Sequence, residues 1–371
     1  MIKKLVIKCD FCKEKILLRF QTGYFDIPFD FYCPGISISG TKLINNNRLI
    51  LNNAQNIGED IEKVRYYGNF STEFLNKKIS KFNCLDDIIS DNFGPFMNSV
   101  MIFNSNEEYI QIMDKVSKFL RFKNTIWKDL NPLYELFFNG KLELIKTPLS
   151  NYSNNYIIKN DLDATIALHQ LTIIGISNIM PTNTLKEYIE ITYKIMLGKD
   201  IKEIFVFIDF LKSKINFKYL SQKIIQIYNK FIVNFEKYMA VIILSLGNKT
   251  SLIDKEKYGI STINFENMKP FFVESYELIL EMITLPIGLN NIIERKQYNN
   301  FSEKSNVKNF DSYFNQSKYN RIKSLIREET FSKNLYMNRH VRNALSHYDY
   351  KLDKENQIIT FYDWNKKNQK I

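Results

Sequence analysis

Met337-Asn338-Arg339-His340-Val341-Arg342-Asn343-Ala344-Leu345-Ser346-His347-Tyr348-Asp349-Tyr350 decides how the rest of this chain is read. Wound at about 100° per residue with Arg342 at zero, it places Ser346, Arg339, Tyr350, Asn343 and His347 between about 0° and 140°. Met337, Val341, Ala344, Leu345 and Tyr348 fall between about 200° and 300°. The pattern predicts a helix with its apolar face in a bundle. A solvated helix face is ordinarily lysine and glutamate. This one carries two arginines, an asparagine, a serine, a histidine and a tyrosine, groups that bind or act on phosphate. His340, at about 160° on the rim of the apolar face, reads as a packed histidine.

Such a face suits RNA cleavage by the substrate's own 2′-hydroxyl. That reaction needs a base for the hydroxyl proton, an acid for the leaving 5′-oxygen and positive charge on the phosphorane. Histidine can serve as base or acid, and arginine can fork two donors onto phosphate oxygens. Arg342 and His347 are the candidate catalytic residues. Asn343, four residues before His347 on the same face, can orient the ring or donate to phosphate. Arg339, Ser346 and Tyr350 are the candidate substrate-binding groups. No metal is required, and the products would be a 2′,3′-cyclic phosphate and a 5′-hydroxyl. His169 has no motif around it and reads as structural.

Arg342-Asn343, followed by Ala344-Leu345-Ser346 and His347, resembles the Arg-x4–6-His motif of HEPN domains in its Arg-Asn-x-x-x-His form. Tyr350 to Asp353, then Asn356 to Phe361, looks like the short hairpin that follows the helix in some members. The resemblance extends over roughly residues 160–371 through helical order, with a specific part of about 20 residues. It implies a helical bundle that dimerises, so that two copies of the motif face each other across a composite cleft. It implies a metal-independent endoribonuclease, a toxin or abortive-infection effector of antiphage defence, with an antitoxin or defence-complex partner. The alternative is a non-catalytic RNA- or protein-binding module of the same fold. Many members add an acidic residue from an earlier helix, and Glu274, Glu277 and Glu281 share a face suited to that role. One toxin subgroup has tyrosine two residues after the histidine. Here that position is Asp349, between Tyr348 and Tyr350, so that subgroup's tyrosine modification does not carry over.

Upstream of the motif, helical spacing recurs. It predicts helices over Glu107 to Phe122, Thr184 to Leu197 (stripe Leu185, Tyr188, Ile189, Thr192, Ile195), Tyr219 to Leu246, and Phe265 to Leu285 ending before Pro286. Asn299 to Asn309 reads as a polar loop, and Tyr319 to Tyr348 as one or two further helices. Residues 1–60 read as strands: Leu5 to Ile7, Ile16 to Phe20, the alternating Ile36 to Gly40, and a hairpin about Asn45-Asn46-Asn47. The expected fold is α+β and mainly α: a β-rich, zinc-ribbon-like region over 1–60, a mixed α/β or helical connecting region over 61–160, and a HEPN-like bundle with a terminal hairpin over 161–371.

Cys9-x-x-Cys12 between two strands, with Cys33-Pro34-Gly35 some twenty residues on, resembles a zinc ribbon. The second knuckle is incomplete, because position 36 is isoleucine, and Cys84 is remote. Three thiolates could hold a structural zinc with one more ligand, or the ribbon has lost its metal. Lys13, Lys15 and Arg19 would suit RNA contact, with Phe20, Tyr24 and Phe25 either stacking groups or the core of the small domain.

The net charge of +11 favours a polyanionic partner, although Lys-rich chains of AT-rich genomes are often basic in any case. With four cysteines in 371 residues a disulfide scaffold is excluded as the organising principle. The N-terminus lacks the unbroken apolar run of a secretory signal, and no apolar run reaches the ~18 residues of a membrane span. The expected compartment is the cytoplasm, with RNA as partner and no membrane.

Overall fold

A computed structural model describes residues 2–21, 23, 25–33, 36–77, 79–81, 103–152, 157–198, 200–247, 258–325, 337–354 and 358–362. The chain is α+β and mainly helical, with a β-rich N-terminal part. Strands β1 (Ile2–Cys9) and β2 (Lys15–Gln21) form an antiparallel hairpin in register Ile2↔Gln21 to Lys8↔Lys15. β3 (Ile27–Tyr32), β4 (Ser37–Lys42) and β5 (Leu49–Asn52) make a second, antiparallel sheet. The β4–β5 turn contains Asn47 at φ 57°, the left-handed conformation that asparagine tolerates. β6 (Ala54–Gly58) pairs with β1, and β7 (Val64–Phe70) runs parallel to β2.

β2 is flanked on both sides in the sheet, and Ile16 to Phe20 are all buried. The two sheets meet through phenylalanine rings: Phe20–Phe29 and Phe29–Phe70 at 5.5 Å, and Phe31–Phe70 at 5.4 Å. The β-rich part therefore does not stop at residue 60. The acidic stretch Glu59-Asp60-Ile61-Glu62 looks like a linker but only turns the chain, with Lys63 at φ 59°, into the parallel strand β7. β8 (Asn76–Lys77) and β9 (Ser80–Lys81) follow; β9 pairs antiparallel with β7, and β8 pairs with β10 (Tyr258–Gly259), tying the sheets to the helical part.

Residues 103–152 belong to the helical part rather than to a separate connector. α1 (Asn106–Phe122) passes through a π-helical turn, Lys123–Trp127, into α2 (Lys128–Phe138), followed by α3 (Leu142–Tyr152) and α4 (Asp161–Ser177). Val116, Phe119, Leu130, Ile145 and Ala164 share one core with Phe235 and Met239. The apolar stripes of α1–α3 can be covered only by later helices, so no boundary falls at 160. α4 packs so closely that a Cβ on Gly175 would lie 2.4 Å from the Phe122 ring.

The predicted helix over 219–246 divides at Asn234 into α7 (Phe217–Val233) and α8 (Phe235–Leu246). α9 (Phe265–Met282) is followed by α10 (Thr284–Arg295), which carries Pro286 in its first turn, where the missing N–H costs nothing. A second core joins Phe207 and Leu211 of α6 (Ile201–Lys212) to Ile287 of α10 and to Phe310 and Tyr313 of α11 (Phe310–Phe314). α12 (Lys318–Ile322) precedes α13 (Arg339–His347), after which β11 (Tyr350–Asp353) and β12 (Ile358–Phe361) form the expected antiparallel hairpin.

α5 (Thr182–Met196) departs from its sequence pattern. It is amphipathic, yet none of its residues is buried. No helix among the described residues is long and apolar enough to cross a membrane.

Candidate functional site

α13 begins because Asn338 caps it, accepting from the N–H groups of His340 and Val341. It buries Ala344 and Leu345 as the spacing requires. Its polar face meets α9. Arg342 Nη2 donates to Glu277 Oε1, and Arg342 Nη1 donates to Asn343 Oδ1 at 3.0 Å. The two charged side chains are 29% and 32% exposed, so the guanidinium is held between a carboxylate and an amide without being sealed from solvent. Arg342 Nε is buried with no hydrogen-bond partner among the described residues.

Only one of the three candidate glutamates reaches the motif. Glu277 pairs with Arg342, whereas Glu274 pairs with Lys230, and Glu281 lies 2.8 Å from Lys223 and 3.2 Å from Lys318. Glu274 and Glu277 are three residues apart, but α7 lies over one and α13 over the other. Beneath Arg342, Tyr276 is 5% exposed, and its hydroxyl has no hydrogen-bond partner among the described residues. Burial pushes the phenol up, with Tyr319 and Glu277 adding to the shift and Arg342 and Arg339 opposing it.

His347 is the last residue of α13 and is exposed, with no hydrogen bond or ion pair among the described residues. Five residues of helix rise put it about 7.5 Å along the axis from Arg342. Asn343 faces Arg342, not His347. Ser346 is half-buried. Arg339 is exposed, its guanidinium 5.0 Å from the centre of the Tyr319 ring. His340 is exposed, not packed, because the apolar stripe of so short a helix covers only Ala344 and Leu345. His169, exposed on α4, is also not part of the core.

Tyr350 lies in β11, outside the helix on which its angle was reckoned, because α13 ends at Tyr348 with φ 61°. It returns to α9 by another route. Lys269 Nζ donates to Tyr350 Oη at 2.8 Å, and Tyr350 Oη donates to Glu266 Oε1 at 3.0 Å. Lys269 is 3.2 Å from Glu266, and 4.4 Å and 5.0 Å from the ring centres of Tyr348 and Tyr350. The hydrogen bond to Tyr350 leads in raising the Lys269 pKa, with Glu266 adding to it against the opposing effect of burial. This second cation beside the motif was missed from sequence. Its only signal was Glu266-x-x-Lys269, a spacing shared by countless solvated helices. Tyr348 was missed as well: assigned to the apolar face, it is 74% exposed.

The N-terminal sheets abut the same end of α9. Asp30 accepts from Ser37 Oγ at 2.7 Å, from the Asn264 amide at 2.9 Å and from the Asn267 amide at 2.9 Å. Among the described residues, the groups of this part that sequence offered for RNA contact are mostly buried or bonded within the fold. Arg19 and Phe20 are buried, 4% and 0% exposed, and Lys15 bonds the Glu62 carbonyl at 3.0 Å. Lys13 donates to the Asp10 carbonyl, Phe25 packs on the helical core, and Tyr24 lies outside the described residues.

Cys9, Cys12 and Cys33 do converge: their sulfurs lie within 4.8 Å of one another. Cys9–Cys33 is 3.5 Å and Cys12–Cys33 is 3.7 Å. Zn–S bonds of ~2.3 Å in a tetrahedron put sulfurs about 3.8 Å apart, so the donor set fits a metal ion. Among the described residues no fourth ligand joins the group, and Cys84 lies outside them. Burial opposes ionisation of Cys9, but the backbone N–H groups of Cys12 and Phe11 outweigh it and pull the thiol down. Burial and the neighbouring thiols push Cys12 up to about 11. Three thiolates at this spacing need a cation to offset their repulsion.

No family model, no curated protein and no solved structure matches the chain.

Proposed function

We propose that the chain is a metal-independent endoribonuclease of HEPN type, acting as a toxin or abortive-infection effector in antiphage defence in the cytoplasm. The observation that carries this reading is Arg342, gripped by Glu277 and Asn343, on the same short helix as an exposed His347. Arg342 would bind the non-bridging oxygens of the scissile phosphate. The 2′-oxygen attacks phosphorus and gives up its proton to a base. The P–O5′ bond breaks, and O5′ takes a proton from an acid. Charge is conserved and the ends are 2′,3′-cyclic phosphate and 5′-hydroxyl.

One helix supplies only part of this. His340 and His347 are seven residues apart, about 10.5 Å along the axis, too far to serve both sides of one phosphate whose reacting atoms lie within ~3.5 Å. A second copy of α13 would complete the cleft, which makes a homodimer part of the proposal. The unburied apolar face of α5, with its C-cap and the start of α6, is the surface we assign to it. Ile189, Tyr193 and Met196 of α5, Leu197 that caps it and Phe205 of α6 are 45–78% exposed. At the other end of the sequence, Cys9, Cys12 and Cys33 would hold a structural zinc.

The test is cleavage of RNA in EDTA by wild type, Arg342→Ala and His347→Ala, with the ends mapped. Cleavage that survives either substitution unchanged removes the site assignment. The second reading, a binding module without turnover, draws on the same ion pair, because Glu277 competes with phosphate for Arg342. It predicts salt-sensitive RNA binding with no new cyclic ends. An antitoxin or other defence partner would appear as a stable co-purifying chain.

A further inference from the structure

Immediately after His347 the backbone adopts a conformation that its residue does not favour. Tyr348 closes α13 at φ 61°, ψ 26°, a region that glycine enters freely and that crowds any residue with a Cβ. Its N–H and that of Asp349 both bond to the Ala344 carbonyl, the latter at 2.8 Å, so the turn needs the left-handed residue. Glycine or asparagine is the usual occupant. Burial does not account for tyrosine here, because the side chain is 74% exposed.

What the ring does have is support on a fixed base. Lys269 Nζ sits 4.4 Å from its centre, and the Tyr350 ring lies 6.4 Å away at an interplanar angle of 27°. Lys269 is itself fixed: its side chain is 13% exposed and bonded to both Tyr350 and Glu266. An aromatic ring is thus held in place one residue from the proposed catalytic histidine, with most of its surface open. Its neighbours His347, Asp349 and Lys269 are polar, which suits a flat ligand with polar edges better than an apolar protein side chain.

We infer that Tyr348 is a stacking platform for an unpaired nucleobase, so that the site takes single-stranded RNA. The inference rests on the ribonuclease reading in placing that base beside the scissile phosphate. Stacking on an aromatic ring needs a base whose face is free, as in a loop or single strand, and it tolerates any base. A duplex offers no such face.

Binding to an uncleavable 2′-O-methyl oligonucleotide separates this from catalysis. Fluorescence anisotropy is measured for the single strand and for its duplex, with wild type, Tyr348→Gly, Tyr348→Asn and Tyr348→Phe. Glycine and asparagine both accept the left-handed turn, so these variants should melt no lower than wild type. They should bind the single strand roughly tenfold more weakly and the duplex unchanged, while phenylalanine keeps wild-type affinity within about twofold. The inference is overturned if wild type does not bind the single strand, if glycine and asparagine bind it as wild type does, or if single-strand and duplex binding fall together. Selective loss of single-strand binding in the Tyr348→Gly and Tyr348→Asn variants, with a wild type that binds RNA but never cleaves it, would leave the platform standing and remove the nuclease. Cleavage dependent on Arg342 and His347, with no effect of Tyr348→Gly on binding, would do the reverse.

Discussion

Glu277 and Arg342, 65 residues apart in sequence, form an ion pair across α9 and α13 with each side chain roughly two-thirds covered. The guanidinium is thereby oriented before any substrate arrives. Glu277→Gln keeps the shape and removes the charge, so Arg342 should lose its fixed direction while the fold survives. Misplacement of a catalytic group by about 1 Å costs on the order of 100-fold. The expected result is a 10- to 100-fold fall in kcat for RNA cleavage, with Glu274→Gln within about threefold of wild type. Equal losses in both variants would mean that Glu277 acts only through stability, which thermal melting of the same samples detects.

At the cysteine cluster, purified protein should carry close to one zinc per chain, released by chelator and counted colorimetrically. Cys33→Ser should abolish retention, because Cys33 is the sulfur within 3.7 Å of both others. Loss of the metal should lower the melting temperature of the β-rich part without altering the α13 residues proposed to contact phosphate. Metal-free wild type with unchanged stability would mean that the three thiols are simply a packed cluster.

The helix of the motif could be read from sequence because its periodicity is strong. So could the hairpin behind it and the convergence of Cys9 with Cys33. The directions of Tyr348 and Tyr350 could not, although the hairpin reading did put Tyr350 at the start of its strand. Both were placed by extending one helical wheel past the point where the left-handed turn ends the helix, and nothing in the residue types announced a tyrosine in that conformation. The choice of Glu277 over Glu274 and Glu281 was out of reach for a different reason: all three lie on one helix face, and only the packing of α7 and α13 assigns them separate partners. β7 escaped notice because it is buried on both sides, so Val64 to Phe70 shows no alternation. The stripe of α5 was read as one face of a helix, but periodicity reports amphipathicity, not which surface covers it.

Glu281 predicts a pH dependence. Burial disfavours its charge, but hydrogen bonds from Lys223 and Lys318 outweigh that and hold the carboxyl below its ordinary value of 4.5. A folded-state value below the unfolded one means stabilisation that is complete above about pH 4.5 and lost as pH falls through the lower folded value. The pair is partly exposed, so its worth is at most about 1 kcal/mol. Urea melts between pH 6 and 3 should show the wild type losing stability more steeply than Glu281→Gln below pH ~4.5, with the two curves parallel above it.

Gly288 on α10 faces Phe207 of α6 so closely that a Cβ would lie 1.9 Å from the ring. Phe207 is 1% exposed and has no room to retreat. Alanine in a helix gains about 1 kcal/mol over glycine, but overpacking a closed core costs about 1–3 kcal/mol or more. Gly288→Ala should therefore be destabilising on balance, and Phe207→Leu in the same chain should recover part of the loss. Gly259→Ala, with nothing within 4 Å of the added carbon, should melt as wild type. A neutral Gly288→Ala would mean that α6 and α10 can slide apart without consequence for the second core.

The exposed face of α5 bears most directly on function. Met196 and Leu197 are 69% and 78% exposed, and Phe205 at the start of α6 is 61% exposed. An apolar stretch of this kind is unusual on a monomer and ordinary at an interface. Leu197→Glu with Phe205→Glu would place like charges opposite one another wherever two copies meet, at positions that are mostly exposed in the monomer. Light scattering should give a dimer for wild type and a monomer for the double variant, with the same melting temperature at high dilution. If the cleft is shared, RNA cleavage should vanish with the dimer and return in wild type as concentration rises through the dissociation constant. A monomeric variant that cleaves RNA at the wild-type rate would leave Arg342 and His347 of one chain sufficient, and would free the α5 face for a different partner.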